Sequence, residues 1–313
     1  MGRSMGRVLV VGATHGNERN GAWLLEQWRR RPEALQCHGL AVDLVVGNPA
    51  AAAEGRRYLD RDLNRSFEPA LLADPRRLER EVLRARELLR LHGPQGEKPA
   101  LVAIDLHSTT AAMGNSLVVY GRRPADLALA AALQLRLGLP IYLHEGDPAQ
   151  TGFLVERWPC GLVVEVGPVP QGVLHPQTCQ QTTLALEGTL ELLALARLGA
   201  LPQPRCLVVH RHLRSLDLPR HGDGSPGALI HTLRQGGDWQ PLRPGEPLLE
   251  DAAGRTLPYE APAGLENATV WPVFINEAAY GEKGIALSLT ERQVWPVEPG
   301  WVAALEDLAA GLE

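Results

Sequence analysis

The chain has 313 residues, 45% hydrophobic and 21% charged, which suits one large α/β domain or two unequal ones and argues against disorder. Its formal net charge of −5 leaves no basic footprint, which argues against nucleic acid or an anionic membrane as the main partner. Basic charge is almost all arginine, since Lys98 and Lys283 are the only lysines.

In chain order, residues 7–12 (RVLVVG) read as a short buried strand and Asn20–Arg31 as the helix that follows. Ala41–Val46 is a second strand, closed by Gly47-Asn48-Pro49. Arg76–His92 is predicted as a helix capped by Asp74, with Leu78, Val82, Ala85 and Leu89 on one stripe and its Arg and Glu residues on a solvated face. Strands are expected at Leu101–Leu106, Ser116–Tyr120, Ile141–Leu143 and Leu162–Val166, and helices at Pro124–Leu137 and Thr178–Leu198. Strands alternating with helices predict an α/β/α sandwich around a mainly parallel sheet. The pattern changes near Leu201-Pro202-Gln203-Pro204, after which Gly, Pro and short strand-like runs dominate until about Trp301. A boundary is expected there, with residues 1–202 as the larger α/β domain and 203–313 as a smaller β-rich one.

Cys37, Cys160, Cys179 and Cys206 lie far apart without a CxxC pair, so they read as free thiols of a reducing cytoplasm. The first residues run directly into a strand and lack the features of a secretory leader. The best apolar stretch, Leu184–Leu198, is broken by Glu187, Glu191 and Arg197 and is not expected to cross a membrane. Neither GxGxxG nor a P-loop occurs, so no nucleotide cofactor is expected.

Reactive residues collect where strands end. His15 and Glu18 follow the first strand, His107 ends LVAIDL, and Glu165 ends LVVEV. Open α/β sheets hold ligands beyond the C-terminal ends of their strands, so these clusters point to one crevice. His15 and Glu18, three apart, can face one metal ion, or they can be a turn histidine and a helix-start carboxylate. His107 can be structural or a third ligand; Asp105 shares its strand face and can orient the ring. A His-Glu-His set leaves one coordination position open, as in catalytic zinc sites. Glu165, inside an apolar strand, reads either as a solvent-facing edge acid or as a general base with a pKa raised by a dry cleft. The stretch 56–67 holds four arginines and two aspartates around Asn64-Arg65. It is either a solvated loop or an anion clamp, with Asn64 and Arg65 on a carboxylate and Arg57 aimed at a polarised carbonyl.

Five segments, GATHGNERNG (12–21), NPAAAAEGRRYLDRDLNRSF (48–67), DLHSTTAAMGNSL (105–117), VEVGPVPQGVL (164–174) and VFINEAAYGEK (273–283), resemble the aspartoacylase and succinylglutamate desuccinylase family of zinc-carboxypeptidase-like enzymes. They come in family order and span nearly the whole chain; the last favours the aspartoacylase branch. The resemblance implies a carboxypeptidase-like α/β/α domain, a β-rich C-terminal domain that narrows access, and an amidohydrolase that cleaves an N-acyl amino acid such as N-acetyl-L-aspartate. It further implies one Zn2+ on His15, Glu18 and His107, Glu165 as base and acid, Arg57 polarising the carbonyl, and Asn64, Arg65 and Tyr280 binding substrate. One departure concerns specificity. Aspartate-specific members carry an arginine shortly before the base-bearing strand, where this chain has Phe153; Arg157 is a candidate substitute. Alternatives are the same zinc chemistry on a different N-acyl amino acid (succinylglutamate-type or aromatic), a small ester or a peptide, or a metal-binding or interaction protein without catalysis. A homo-oligomer is compatible with the sequence.

Overall fold

The computed structural model describes residues 6–313. Its elements, in order, are β1 (Arg7–Gly12), α1 (Arg19–Arg30), β2 (Val42–Val46), α2 (Pro49–Glu54), α3 (Pro69–Ala73), α4 (Arg80–His92), β3 (Ala100–Ser108), β4 (Gly114–Tyr120), α5 (Pro124–Leu137), β5 (Ile141–His144), β6 (Cys160–Gly167) and α6 (Pro176–Arg197). The rest is β7 (Cys206–Leu216), β8 (Ala228–Ile230), β9 (Pro247–Asp251), β10 (Thr256–Pro258), β11 (Trp271–Val273), β12 (Leu287–Pro296) and α7 (Pro299–Ala309).

Nine strands form one mixed sheet in the order β11-β12-β7-β5-β4-β6-β3-β1-β2, and β8, β9 and β10 form a small second sheet. Strands β2, β1, β3 and β6 run parallel, whereas β4 lies antiparallel to β6 and starts the opposite-running set β4, β5, β7. The C-terminal ends of β1, β3 and β6 therefore meet at one edge, and strand direction reverses beside them, between β6 and β4. From β1 the chain passes outward to β2 and from β3 the opposite way to β4, and this reversal of strand order between β1 and β3 opens a crevice at their C-terminal ends.

Both faces of the sheet are covered, as the near-continuous apolar strands require. Val8 and Val10 point into one core with Leu24, Leu25 and Trp28 of α1. Leu9 and Val11 point into the other with Ala85 and Leu88 of α4. This is the two-residue alternation of a strand carrying apolar groups on both sides. A third core, around Leu242, Tyr259, Val270 and Leu287, fills the C-terminal part.

The change in composition near residue 202 falls between α6 and β7. Beyond it the chain is β-rich, yet its two longest strands, β7 and β12, extend the main sheet. Helix α7 then packs back against α5 and α6, with Leu305 and Ala309 in the first core.

One helix differs from expectation. The helix predicted from Arg76 starts at Arg80, and Asp74 does not cap it; Asp74 accepts from Arg76 N at 3.0 Å in a separate turn, and Leu78 is 68% exposed. The cap comes from outside the helix, where Asp60 Oδ2 accepts from Arg80 N at 2.8 Å. Nor are all of its acids solvated, because Glu81 is fully buried. The short helices α2 and α3, each opened by a proline at its first turn, were not expected in their stretch of low periodicity. Among the described residues, no helix is long and apolar enough to cross a membrane.

Candidate active site

The turn after β1 carries His15. Ala13 holds φ 54° there, and Gly16 lies so close to α2 that a Cβ would meet the Ala51 carbonyl carbon at 2.2 Å. Only glycine permits that approach. The turn is thus pressed onto the 48–57 segment, and Gly16 N donates to Arg57 O at 3.1 Å. Glu18 closes the turn just ahead of α1, and His107 sits near the end of β3, two residues after Asp105.

These groups converge. Glu18 Oε1 lies 2.6 Å from His15 Nδ1 and Glu18 Oε2 lies 2.9 Å from His107 Nδ1. One candidate ligand atom from each residue lies within 4.8 Å of the other two, and all three side chains are buried. The opposite ring nitrogens are also engaged: His15 Nε2 lies 3.0 Å from Asp62 Oδ1, and His107 Nε2 lies 2.8 Å from Asp105 Oδ2. Thr14 Oγ1 donates to the other oxygen of Asp105 at 2.7 Å. Two imidazoles whose Nδ1 atoms face one spot while carboxylates hold Nε2 form an oriented ligand pair. Two nitrogens and one carboxylate suit zinc and leave a fourth position free.

Charge in this knot is strongly coupled. Burial works to raise the Glu18 pKa, but the two imidazoles outweigh it and hold the carboxyl well below its usual range. Asp62 is likewise held down against burial by His15 and Arg57. Burial works to lower the His107 pKa, but Asp105 and Glu18 drive it well above the ordinary imidazole value. The proton that this holds on His107 is one that a divalent cation displaces on binding.

Glu165 and His107 are directly paired in register on adjacent parallel strands, so their side chains leave the same face of the sheet. Glu165 lines the pocket. Burial, with Glu18 and Glu277 nearby, pushes its pKa well above the carboxylate range, although His107 and Arg57 oppose this. Sheet geometry thus rejects the solvent-facing edge acid. Just beyond it, a Cβ on Gly167 would meet the Thr109 and Ala111 carbonyl oxygens at 2.5 Å.

Arg57 reaches the same knot with Nη1 3.3 Å from Glu18 Oε1 and Nη2 3.5 Å from Asp62 Oδ2; its Nε is buried without a partner. Asn64 Oδ1 accepts from Leu154 N at 2.9 Å. Arg65 stacks on the Phe153 ring at 4.1 Å and donates to Gln150 Oε1 at 2.7 Å. Tyr280 enters from the C-terminal part, on a turn whose Glu277 accepts from Thr110 N at 2.7 Å and from the Thr109 hydroxyl. Arg57, Asn64, Arg65 and Tyr280 all line the pocket with the three candidate ligands and Glu165. Arg157 does not: it is exposed, whereas Phe153 is buried and forms part of the wall. The suggested substitution of Arg157 for a missing arginine is therefore corrected. Arg157 lies in a short helical turn, Leu154–Arg157, that directs it to solvent.

Several site residues escaped the sequence reading. Asp62 was one acid in a charged loop, and the spacing of 47 residues to His15 gives no local signal. Lys283 Nζ lies 3.1 Å from Asp62 Oδ2, and burial beside Arg65 lowers its pKa to about 8. Asp238, which does not line the pocket, ties the two parts of the chain together by accepting from Ala112 N and Ile275 N, each at 3.1 Å, and burial raises its pKa to about 6. An aromatic wall of Tyr120, Tyr142, His144, Phe153 and Phe274 completes the pocket, with Tyr120 stacked on Phe153 at 3.8 Å. Isolated aromatics among apolar residues look like core residues, so only their juxtaposition marks them.

A mixed α/β/α fold with an oriented His-Glu-His cluster at the strand ends, next to a half-buried carboxylate that lines the pocket, defines a metal-dependent hydrolase. The model of the succinylglutamate desuccinylase/aspartoacylase catalytic domain matches residues 4–193, and that of the AstE/AspA barrel-sandwich hybrid domain matches 205–292. The chain is 58% identical to a probable aspartoacylase of Parasynechococcus marenigrum (strain WH8102), over 96% of this chain and 98% of that one. It is also 58% identical to a probable aspartoacylase of Synechococcus sp. (strain CC9605), over 97% and 98%. Among solved structures, murine aminoacylase 3 is similar at 36% identity with a TM-score of 0.82, covering 95% of this chain and 98% of that one. The chain belongs to the aspartoacylase and succinylglutamate desuccinylase family, and with its His15, Glu18, His107 cluster it is a zinc-dependent deacylase.

Proposed function

We propose that the protein hydrolyses the amide bond of an N-acyl amino acid, with N-acetyl-L-aspartate as the first substrate to consider. The observation that carries the reading is the pair of Nδ1 atoms on the two oxygens of Glu18, beside Glu165 on the neighbouring strand. When bound, zinc supplies Lewis acidity that acidifies water and polarises a carbonyl oxygen. The chain's residues supply the rest. Glu165 takes the proton of the attacking water and returns it to the leaving nitrogen. Arg57 donates to the carbonyl oxygen as negative charge grows there. Arg65 and the Asn64 amide hold the α-carboxylate, and Tyr280 closes the pocket from the other side. Residues 203–313 then act as the part that completes and narrows the pocket around the catalytic residues of 1–202. Four free cysteines support a reducing compartment such as the cytoplasm.

N-acetylaspartate stands first because the relatives at 58% identity are named probable aspartoacylases. A specific observation favours a second reading. The wall where an arginine would meet a side-chain carboxylate is Phe153 stacked on Tyr120, with His144 at 5.2 Å from the Phe153 ring. Burial and the neighbouring His212 lower the His144 pKa to about 4, so the rings of this wall are neutral near pH 7, with the Arg65 guanidinium at 4.1 Å over Phe153 assigned to the α-carboxylate. It fits an uncharged, flat side chain better than a carboxylate.

The test is amine release from N-acetylaspartate, N-acetylphenylalanine and N-succinylglutamate, with metal content measured before and after chelation. We expect turnover that chelation abolishes and zinc restores. A folded protein that binds no zinc and releases no amine from any of the three rules the reading out.

A further inference from the structure

Glu81, in the first turn of α4, is fully buried and lines no part of the pocket, yet its carboxylate is surrounded by donors. Oε1 accepts from Leu59 N at 2.7 Å and from Asn48 Nδ2 at 3.0 Å. Oε2 accepts from Asp60 N at 3.1 Å and Arg61 N at 3.2 Å. Three consecutive backbone N–H groups thus close on one side chain. The loop answers in kind, since Asp60 Oδ2 accepts from Arg80 N at 2.8 Å and caps the helix that presents Glu81. Leu59–Arg61 lies between Arg57 and Asp62. Arg57 reaches Glu18, Asp62 holds His15, and Gly16 N bonds Arg57 O. The N-terminus of α4 is therefore joined to the metal cluster through one loop whose inner face is held by a single carboxylate.

We propose that Glu81 is the positioning residue of the zinc centre, setting through the 57–62 loop both the orientation of His15 and the aim of Arg57. The inference rests on the zinc deacylase reading and goes beyond it by assigning a role to a group outside the pocket. The charge matters, because only a carboxylate offers acceptors on both arms. In Glu81→Gln, one arm becomes an NH2 donor facing backbone N–H groups, which leaves buried donors unpaired at nearly constant volume. The loop must then shift. A ligand histidine that loses its orienting carboxylate costs about 10–100-fold in metal affinity, and a displaced oxyanion donor lowers kcat.

The experiment compares wild type, Glu81→Gln and Glu81→Asp, all stripped of metal, by zinc affinity in a chelator competition, then by kcat and KM after saturation with zinc. Glu81→Asp keeps the charge but withdraws it by one methylene, and it serves where Glu81→Gln does not fold. The expected result is a zinc Kd raised about 10-fold or more in a folded variant, with kcat at saturating zinc lowered and KM changed less. A folded variant with wild-type zinc Kd and kcat overturns the proposal, even where thermal stability falls, since Glu81 would then serve the fold alone. If the wild type itself binds no zinc and turns nothing over, the deacylase reading has failed; if the wild type does both and the variants match it, only the role of Glu81 has.

Discussion

On one side of the pocket, His15, Glu18, Asp62, Asp105 and His107 are tied into a network of contacts between 2.6 and 3.0 Å. On the other side, Tyr120, Phe153 and His144 meet ring to ring and Phe274 meets Tyr142, with polar tethers of 3.2 Å and longer at His144. The first wall is built for position. Each reactive atom is held by a second group, because chemistry near a metal tolerates errors of only a fraction of an ångström. The second wall is built for shape, and shape tolerates substitution. Reaction class should thus depend steeply on the first wall, while substrate choice should move with the second.

The largest expected effect breaks the charged wall at its base. Glu165→Gln should lower kcat by about 10²–10⁴-fold while zinc content stays that of the wild type; turnover near wild type rejects Glu165 as the proton carrier. Next, Arg57→Ala should lower kcat by roughly 10²–10³-fold, the usual cost of an oxyanion donor. A loss confined to KM would move Arg57 from the carbonyl to simple binding. Asp105→Asn keeps the shape but weakens the hold on His107 Nε2, and zinc affinity should fall by about 10–100-fold, read by chelator competition.

Phe153→Arg tests the aromatic wall. It should shift the ratio of kcat/KM toward N-acetylaspartate over N-acetylphenylalanine by about 10-fold or more, since one charge-assisted hydrogen bond contributes about 1.5–3 kcal/mol. An unchanged ratio would show that this wall does not select the side chain.

The smallest effect lies outside the pocket. Burial and the nearby Arg292 lower the His210 pKa to about 4, between Trp239 and Trp271. The folded protein keeps this ring neutral, whereas the unfolded chain protonates it near the ordinary value of about 6.5. Its contribution to stability is therefore full above pH ~6.5 and is lost as pH falls from there to about 4, at no more than about 1.4 kcal/mol per pH unit. His210→Phe should flatten the urea midpoint between pH 7 and 5 relative to wild type. Parallel profiles would mean that the ring is protonated in the folded state as well.

Local pattern carried most of the architecture and the positions of the reactive groups. Apolar runs of strand length, helical stripes and proline-opened helix starts are written in neighbouring residues, so β1, β3, β6, α5 and α6 were legible to within a few residues. The motifs at the ends of β1, β3 and β6 likewise name His15, Glu18, His107 and Glu165. What tertiary structure decided was which acids are solvated and which are buried acceptors. Glu81 reads as one more exposed helix carboxylate, and Asp62 as one more loop acid, until residues 20 to 33 positions away close around the first and His15, 47 positions away, meets the second. The start of α4 moved for the same reason, because its cap comes from Asp60 rather than from the preceding turn. Periodicity and capping depend on near neighbours and can be read along the chain. The environment of a charge depends on whatever the fold brings to it, and only the assembled sheet settles that.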